Sequence, residues 1–399
     1  CFPSRNSSSI NPVMTEYLEE AGQKYPDLKS TFDDFIKWYS NKLWHELTLG
    51  VLSFVSDPKN MRDGNSNFVQ VYNSFVSQFD GKVNQLSLAK IAMKVAESYG
   101  DDDLVSRQSL IEGLLEKRAR LGPEASLYLD MGLCQTLIRR GENLTSVKKT
   151  LSTAKTVLDT LSGSNDTSCH SSYYKTANEY HKVEGPPELF YKNALMYLSY
   201  TDEKTMGESE RYVLATDVSL AALTGDGVYN FGEVCATPVL QYLKDTPNAW
   251  LMEFMLAFST GDVNAFNNIT AASKAAIKSQ PALFSRLEFV NEKIRLLALV
   301  NMVFERSAAD RNISFDEISA RAQVPSDQVE WLVMRALSLT LIKGSIDQVD
   351  QVVTVDWVLP RVLADEQIKA LADRLGEWKG KVHEMQNFVT DNTVELLYS

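Results

Sequence analysis

The most regular hydrophobic pattern of the chain lies close to its C-terminal end. Large apolar side chains recur there at alternating intervals of three and four residues, at Ile368, Leu371, Leu375, Trp378, Val382, Met385 and Val389. This spacing is the heptad pattern of a helix that packs along a seam with other helices. At 1.5 Å per residue the stripe is roughly 31 Å long, which is more than one small domain covers. We therefore predict a long C-terminal helix whose stripe packs on partner helices.

Between residues 31 and 306 the apolar positions follow a helical period almost throughout. Leu88, Ile91, Val95 and Tyr99 illustrate it, because they fall three or four residues apart, and strict alternation of apolar and polar residues is absent from the whole region. Short polar breaks separate helices of roughly 10 to 18 residues. Short helices joined by tight connections favour a right-handed solenoid of stacked helical hairpins.

After this region the pattern becomes that of a winged helix. Ser314 and Glu317 form a capping-box signature at the start of one short helix. The buried face of a second helix is expected to contain Val329, Leu332, Val333, Ala336 and Leu337. In the hairpin that follows, Val353, Val355 and Trp357 alternate with polar residues, which is typical of a half-exposed strand.

These patterns predict an all-α fold with a small β part, in which a solenoid is followed by a winged helix and a long C-terminal helix. The expected divisions are a flexible N-terminal segment at 1–30, the helical-repeat solenoid at 31–306, the winged helix at 307–363, and the C-terminal bundle helix with its tail at 364–399. The opening segment is rich in Ser, Asn and Pro and has no apolar core of signal-peptide length, and Met14 is a possible native start.

Composition and charge exclude several classes of protein. The 399 residues are 44% hydrophobic, which is ordinary for globular domains, and no stretch approaches the roughly 18 consecutive apolar residues of a membrane span. With 40 basic and 52 acidic side chains, the net charge of -12 repels nucleic acid and anionic membrane surfaces. The cysteines lack ligand-like spacing and predict reduced thiols in a cytosolic or nuclear protein; they are Cys1, Cys134, Cys169 and Cys235.

The winged helix raises DNA or RNA binding as a hypothesis, because the second helix of many such domains enters the major groove. From Ile313 to Pro360, however, three basic and seven acidic side chains leave a charge of -4. The second helix begins with the residues SDQVEW, so its carboxylates lie where phosphates have to approach. The charge therefore favours protein contacts and no nucleic-acid partner.

No arrangement of residues predicts a catalytic centre, a metal site or a cofactor site. The histidines never occur as HxH or HExxH, the spacings that bring two zinc ligands together; they are His45, His170, His181 and His383. Cys169 with His170 and His181 forms an alternative metal set, but its spacing is weak. Gly225 and Gly227 have the spacing of the first two glycines of a dinucleotide loop, but Asn230 occupies the third position and no strand precedes them. We therefore interpret Gly225, Gly227 and Gly232 as glycines of helix turns and close packing.

The order of helical array, winged helix and terminal helix resembles that of PCI-domain subunits, the scaffold class of the proteasome lid, the signalosome and a translation-initiation complex. Four strings resemble one subunit of the proteasome regulatory-particle lid: KLWHELTLGVLSFV at 42–55, GDGVYNFGE at 225–233, VMRALSLTLIKGSIDQVD at 333–350 and PRVL at 360–363. The resemblance extends from about Asn41 to His383.

This resemblance implies a non-catalytic scaffold subunit that acts in ubiquitin-dependent protein degradation in the cytoplasm and nucleus. PCI domains of the lid lie side by side in a horseshoe, and terminal helices join a common bundle that includes the deubiquitinase pair, with a ubiquitin receptor nearby. Catalysis then belongs to partner chains, and no cofactor is expected. A PCI scaffold of the signalosome or of the translation-initiation complex is the alternative, because fold alone does not separate sister complexes.

Overall fold

The computed structural model describes residues 12–61, 66–100, 103–161, 166–202, 206–244, 246–306, 311–362 and 365–392. The chain divides into two compact units, Cys1–Asp202 and Glu203–Ser399. The residues predicted as one solenoid at 31–306 are thus shared between both units. The all-α character with a small β part is confirmed, since the strands described belong to one three-stranded sheet that follows the helical region.

The described part of the first unit is helical. Its α-helices are α1 (Pro12–Lys24), α2 (Lys29–Ser40), α3 (Trp44–Ser56), α4 (Ser66–Ser74), α5 (Gln85–Ser98), α6 (Leu104–Leu115), α7 (Arg118–Arg140), α8 (Leu144–Thr160), α9 (Ser168–Glu184) and α10 (Pro187–Tyr200). Helices packed on each other are mostly close in sequence, as in α9 with α10 and α1 with α2, which is expected for stacked helical hairpins. Asn84 and Asp103 begin α5 and α6 by accepting backbone N–H bonds of the first turn.

An aromatic cluster forms the core of the N-terminal half of this unit. Phe35 lies 5.8 Å from Phe54 and 6.3 Å from Phe75 between ring centres, and Phe75 lies 5.0 Å from Phe79. These rings come from α2, α3 and the segment after α4, so they join helices that are separate along the chain. Aromatic pairs at such distances add stabilisation to the burial of their large apolar surfaces.

The N-terminal segment differs from the prediction of flexibility over residues 1–30. Residues 12–24 form α1, and Leu18 and Ala21 are buried in the same core as Phe32 of α2. The helix is therefore stabilised by the apolar face that it buries on α2, whereas the polar composition of the opening residues gave no sign of this contact. Residues 1–11 lie outside the described part of the chain.

The second unit contains a helical layer, the winged helix and the terminal helix. Its α-helices are α11 (Glu208–Thr224), α12 (Phe231–Ala236), α13 (Ala249–Thr260), α14 (Val263–Ala272), α15 (Lys274–Lys278), α16 (Pro281–Ser285), α17 (Leu287–Glu305), α18 (Phe315–Ala322), α19 (Ser326–Ser338) and α20 (Asp365–Asn392). The strands are β1 (Asn312–Ser314), β2 (Ile342–Asp347) and β3 (Val352–Val358).

Helix α17 joins the helical layer to the winged helix. Every residue from Leu296 to Val303 is buried. The helix packs on α13 and α14 of the helical layer and on α18 and β3 of the winged helix. A helix segment that contacts both parts needs apolar side chains on more than one face.

The winged helix has the predicted helix pair and hairpin, together with a strand that the sequence patterns did not predict. The strand order is β1-β3-β2, with antiparallel pairs such as Ile313 opposite Val353. Ser314 and Glu317 form the predicted capping box, in which each side chain accepts the other residue's backbone N–H. Strand β1 escaped prediction because its three residues are too few to display an alternating pattern.

Trp357 departs from the predicted alternation of β3. Val353 and Val355 are buried as expected, but Trp357 is 36% exposed. A bulge explains the difference, because Gly344 pairs with Val355 while Lys343 pairs with Trp357, which leaves one additional residue on β3. At Gly344 a Cβ atom would lie 2.0 Å from the carbonyl oxygen of Thr354, so the bulge requires glycine on β2.

Candidate partner interface on the C-terminal helix

The predicted stripe lies on α20, a helix of 28 residues that is about 42 Å long. All seven side chains are exposed, by 47% to 68%: Ile368, Leu371, Leu375, Trp378, Val382, Met385 and Val389. Phe388 lies beside them and is 68% exposed, although the sequence analysis did not select it. Its position three residues after Met385 is the signal that could have identified it. Contact of this stripe with partner helices stays a prediction.

Charged side chains border the stripe, as its heptad positions require. Arg374, Lys379 and Lys381 are exposed and occupy the positions that flank an interhelical seam. Gly376 and Gly380 lie on the other side of the helix, where an added Cβ atom would meet no heavy atom within 4 Å. The helix therefore presents one apolar side with basic borders and one side with room for larger residues.

The winged helix presents an acidic and partly apolar surface at α19. Asp327 is exposed and Glu330 is half-buried, so the carboxylates predicted to oppose phosphate approach lie at or near the surface. Trp331 and Met334 are also exposed, by 56% and 55%, and were not predicted, because helical spacing identifies only the buried face of a helix. Between α17 and α19 a groove of about 410 Å³ is lined by Trp331 and by the carboxylate side chains of Glu288 and Glu292.

The residues considered for a metal site have separate packing partners. The Cys169 thiol lies 3.6 Å from the Glu124 carbonyl oxygen, and burial raises its pKa to about 11. The His170 ring stacks on Tyr200 at 4.9 Å, while burial lowers the pKa of His181. Within the part of the chain that the structure describes, no three His, Cys, Asp or Glu side chains form a cluster suited to a metal ion.

The glycines that were compared with a dinucleotide loop have structural positions. Gly227 has a φ of 75°, a left-handed conformation that glycine adopts without strain. A Cβ atom on Gly232 would lie 2.9 Å from the Cβ atom of Val362, so the loop and the segment before α20 approach closely. Both observations confirm the interpretation as turn and packing glycines.

No helix among the described residues has the length and apolar content needed to span a bilayer.

Two known family models match successive ranges of the chain. The family model of PSD13 N-terminal repeats matches residues 31–255, and the PCI domain model matches residues 264–357. The 26S proteasome non-ATPase regulatory subunit 13 of Dictyostelium discoideum is 34% identical over 384 residues, which cover 96% of this chain and 98% of that protein. The chain belongs to the subunit 13 family.

Other relatives separate the subunit 13 family from sister PCI proteins. The 26S proteasome non-ATPase regulatory subunit 13 homolog B of Arabidopsis thaliana is 34% identical over 387 residues, covering 96% of this chain and 98% of that protein. The eukaryotic translation initiation factor 3 subunit M of Aspergillus oryzae is 26% identical over 198 residues, covering 50% of this chain and 42% of that protein.

The PCI match includes α14 to α17, so it begins before the predicted winged helix at 307–363.

Proposed function

We propose that the chain is a non-catalytic scaffold subunit of the proteasome regulatory-particle lid. It acts in lid assembly and positions neighbouring subunits for ubiquitin-dependent protein degradation. Membership in the subunit 13 family supports the complex, because relatives with that name match the chain over nearly its full length. The observation that carries the scaffold role is the exposed apolar stripe on α20.

The exposure of the stripe supports its role as an interaction surface. Burying a large apolar side chain stabilises by about 1.5 to 3 kcal/mol, and all seven side chains of the stripe retain about half of their surface in water. A contiguous exposed apolar surface of this kind marks an interaction site. The basic borders formed by Arg374, Lys379 and Lys381 fit a partner surface with acidic side chains beside its own apolar positions.

The proposed partners are the other PCI subunits of the lid. Helix α20 joins a bundle with the terminal helices of lid subunits, including the deubiquitinase pair, and a ubiquitin receptor lies nearby. The proteasome acts in the cytoplasm and nucleus, where we place this chain. Peptidase, ATPase and deubiquitinase reactions belong to partner chains, which agrees with the packing roles of Cys169, His170 and His181.

Removal of α20 tests the proposed role directly. A chain that ends after Ala364 should remain folded and soluble but fail to enter the lid, because the apolar seam is lost. The double substitution Leu375→Asp with Val382→Asp should have the same effect, since it places two carboxylates in the seam. Incorporation is measured by native gel electrophoresis of reconstituted lid subunits, and folding is checked by circular dichroism.

A matched control separates the seam from the remainder of the helix. His383→Asp with Thr390→Asp changes two exposed residues with the same seven-residue separation, away from the stripe, and should leave incorporation unchanged. Normal incorporation of the truncated chain would contradict the proposal, because the stripe would then be dispensable for assembly.

Co-purification distinguishes the lid from the sister complexes. A tagged full-length chain should recover lid subunits in stoichiometric amounts, identified by mass spectrometry. Recovery of signalosome or initiation-factor subunits in their place would overturn the assignment. The half-chain coverage of initiation factor 3 subunit M already favours the lid.

A further inference from the structure

The segment that precedes α20 is attached to the helical layer by Arg361. Its Nη2 atom donates to the Ser259 carbonyl oxygen at 2.5 Å, across 102 residues of sequence. Ser259 lies in the last turn of α13, where carbonyl oxygens lack intrahelical partners, and a cation is favourable there. The guanidinium also lies 5.6 Å from the ring centre of Phe304. Arg361 therefore links the end of the winged helix to the ends of two helices of the layer.

The next residue of this segment rests on the loop before α12. The backbone N–H of Val362 donates to Asn230 Oδ1 at 3.4 Å, and Gly232 approaches so closely that a Cβ atom there would lie 2.9 Å from Val362 Cβ. The residual cavity among these residues is about 20 Å³, room for about one water molecule. We call Asn230, Gly232, Ser259, Arg361 and Val362 the α20 socket.

The loop that contains Asn230 and the start of α12, which contributes Gly232, are themselves held in place. Lys293 Nζ donates to the carbonyl oxygens of Ala222 and Gly225 at 2.7 and 2.9 Å. The same ammonium lies 5.1 Å from the ring centre of Phe231, the residue between the two socket positions. The socket is therefore built on a loop with buried polar and cation–π contacts.

Only a short tether connects the socket to α20. From Val362 to Asp365 there are three Cα–Cα steps of 3.8 Å, so the first residue of the helix lies within about 11 Å of the socket. We infer that the socket fixes the direction in which α20 leaves the winged helix, with Arg361 as its positioning residue. This inference rests on the proposed function of α20, because a helix held in one direction loses less conformational entropy when it enters a bundle.

The direction of α20 is measurable by the distance between two spin labels. Cysteines introduced at Val349, in the β2–β3 turn, and at His383, on α20, are both exposed and report on the two ends of this connection. The four native cysteines are replaced by alanine in every chain compared. The distance distribution should be narrow in the parent chain and broad with Arg361→Ala or Gly232→Val. Arg361→Lys, which keeps the cation, should restore most of the narrow distribution.

The effect of the socket on function is measured as binding of the chain to reconstituted lid subunits. Arg361→Ala and Gly232→Val should remain folded by circular dichroism and bind reconstituted lid subunits about tenfold more weakly than the parent chain. Arg321→Ala is the matched control, because it removes an exposed arginine of α18 without touching the socket. If Gly232→Val fails to fold, Gly232→Ala applies the same close contact with a smaller side chain.

The outcomes separate the inference about the socket from the proposed function. Equally broad distance distributions in the parent and variant chains, or equally narrow ones, would contradict the inference that the socket fixes the direction of α20. Loss of assembly in the chain truncated after Ala364 combined with normal assembly of Arg361→Ala would also overturn it, while leaving the function of α20 intact. Normal assembly of the truncated chain would instead overturn the function of α20, and the spin-label distances would still decide whether the socket sets its direction.

Discussion

At the residue scale, Lys293 is a lysine whose side chain is buried inside the second unit. Its side chain is fully buried on α17, and its ammonium donates to carbonyl oxygens at the C-terminal end of α11. Burial lowers its pKa to about 7, while Asp226 acts to raise the pKa and Arg286 to lower it. The carbonyl oxygens and nearby rings favour the charged form, which is why a lysine is tolerated here.

Lys293 should give the stability of the chain a specific pH dependence. The usual lysine pKa is 10.5 and that of folded Lys293 is about 7. Between these values the unfolded chain holds a proton that the folded chain has released, so this group makes the free energy of unfolding rise with pH, by at most about 1.4 kcal/mol per pH unit. Below pH 7 both states are protonated and the contribution is constant.

Comparison with Lys293→Met isolates this effect. The parent-minus-variant difference in free energy of unfolding should increase from pH 7 to pH 9, as measured by urea denaturation. Lys278→Met, which removes an exposed lysine of the same unit, is measured beside it as the control variant. A constant difference for Lys293→Met would show that Lys293 keeps its ordinary pKa in the folded chain.

At the scale of elements, α20 combines a strong apolar stripe with a weak intrinsic helix. Gly376 and Gly380 each cost about 1 kcal/mol relative to alanine in a helix interior. Both lie away from the stripe, with open space around the position of a Cβ atom. We predict that burial of the stripe on partner helices favours helix formation, so that folding of α20 is coupled to assembly.

Substitution of both glycines tests this coupling. Gly376→Ala with Gly380→Ala should raise the helicity of a peptide of residues 365–392, as seen by circular dichroism, because about 2 kcal/mol of helix destabilisation is removed. Incorporation into the lid should be retained in the full chain. Lost incorporation would instead indicate that a partner helix approaches the glycine side of α20.

At the scale of the whole molecule, charge and family agree on a protein-binding scaffold. The chain has a net charge of -12, and near the start of α19 the winged helix carries the exposed Asp327 and the half-buried Glu330. Phosphates are therefore repelled at the surface that reads DNA in other winged helices. The match to the subunit 13 family extends over 96% of the chain.

Duplex DNA should accordingly bind weakly and without sequence preference at physiological salt. Gel-shift titrations with unrelated duplexes measure this, and lowering the salt should have little effect because few phosphate contacts form. Asp327→Lys with Glu330→Lys serves as a comparison, in which weak, salt-sensitive binding is expected to appear. Sub-micromolar, sequence-dependent binding by the unmodified chain would contradict the prediction.

Features that depend on local periodicity were predictable from the sequence alone. Helical spacing predicted the all-α character and the position of α20, because both depend on residues three or four apart. The capping box at Ser314 and the acidic start of α19 were equally local, and four strings were specific enough to indicate the family. The stripe on α20 was visible because a heptad needs no knowledge of the remaining fold.

Features that join distant parts of the chain became visible in the folded structure. Burial of α1 depends on the apolar surface of α2, and the exposure of Trp357 depends on a bulge opposite Gly344. The α20 socket joins Ser259 to Arg361 across 102 residues. No periodic pattern encodes such contacts, because each polar or glycine residue acquires its role from a partner that folding brings near.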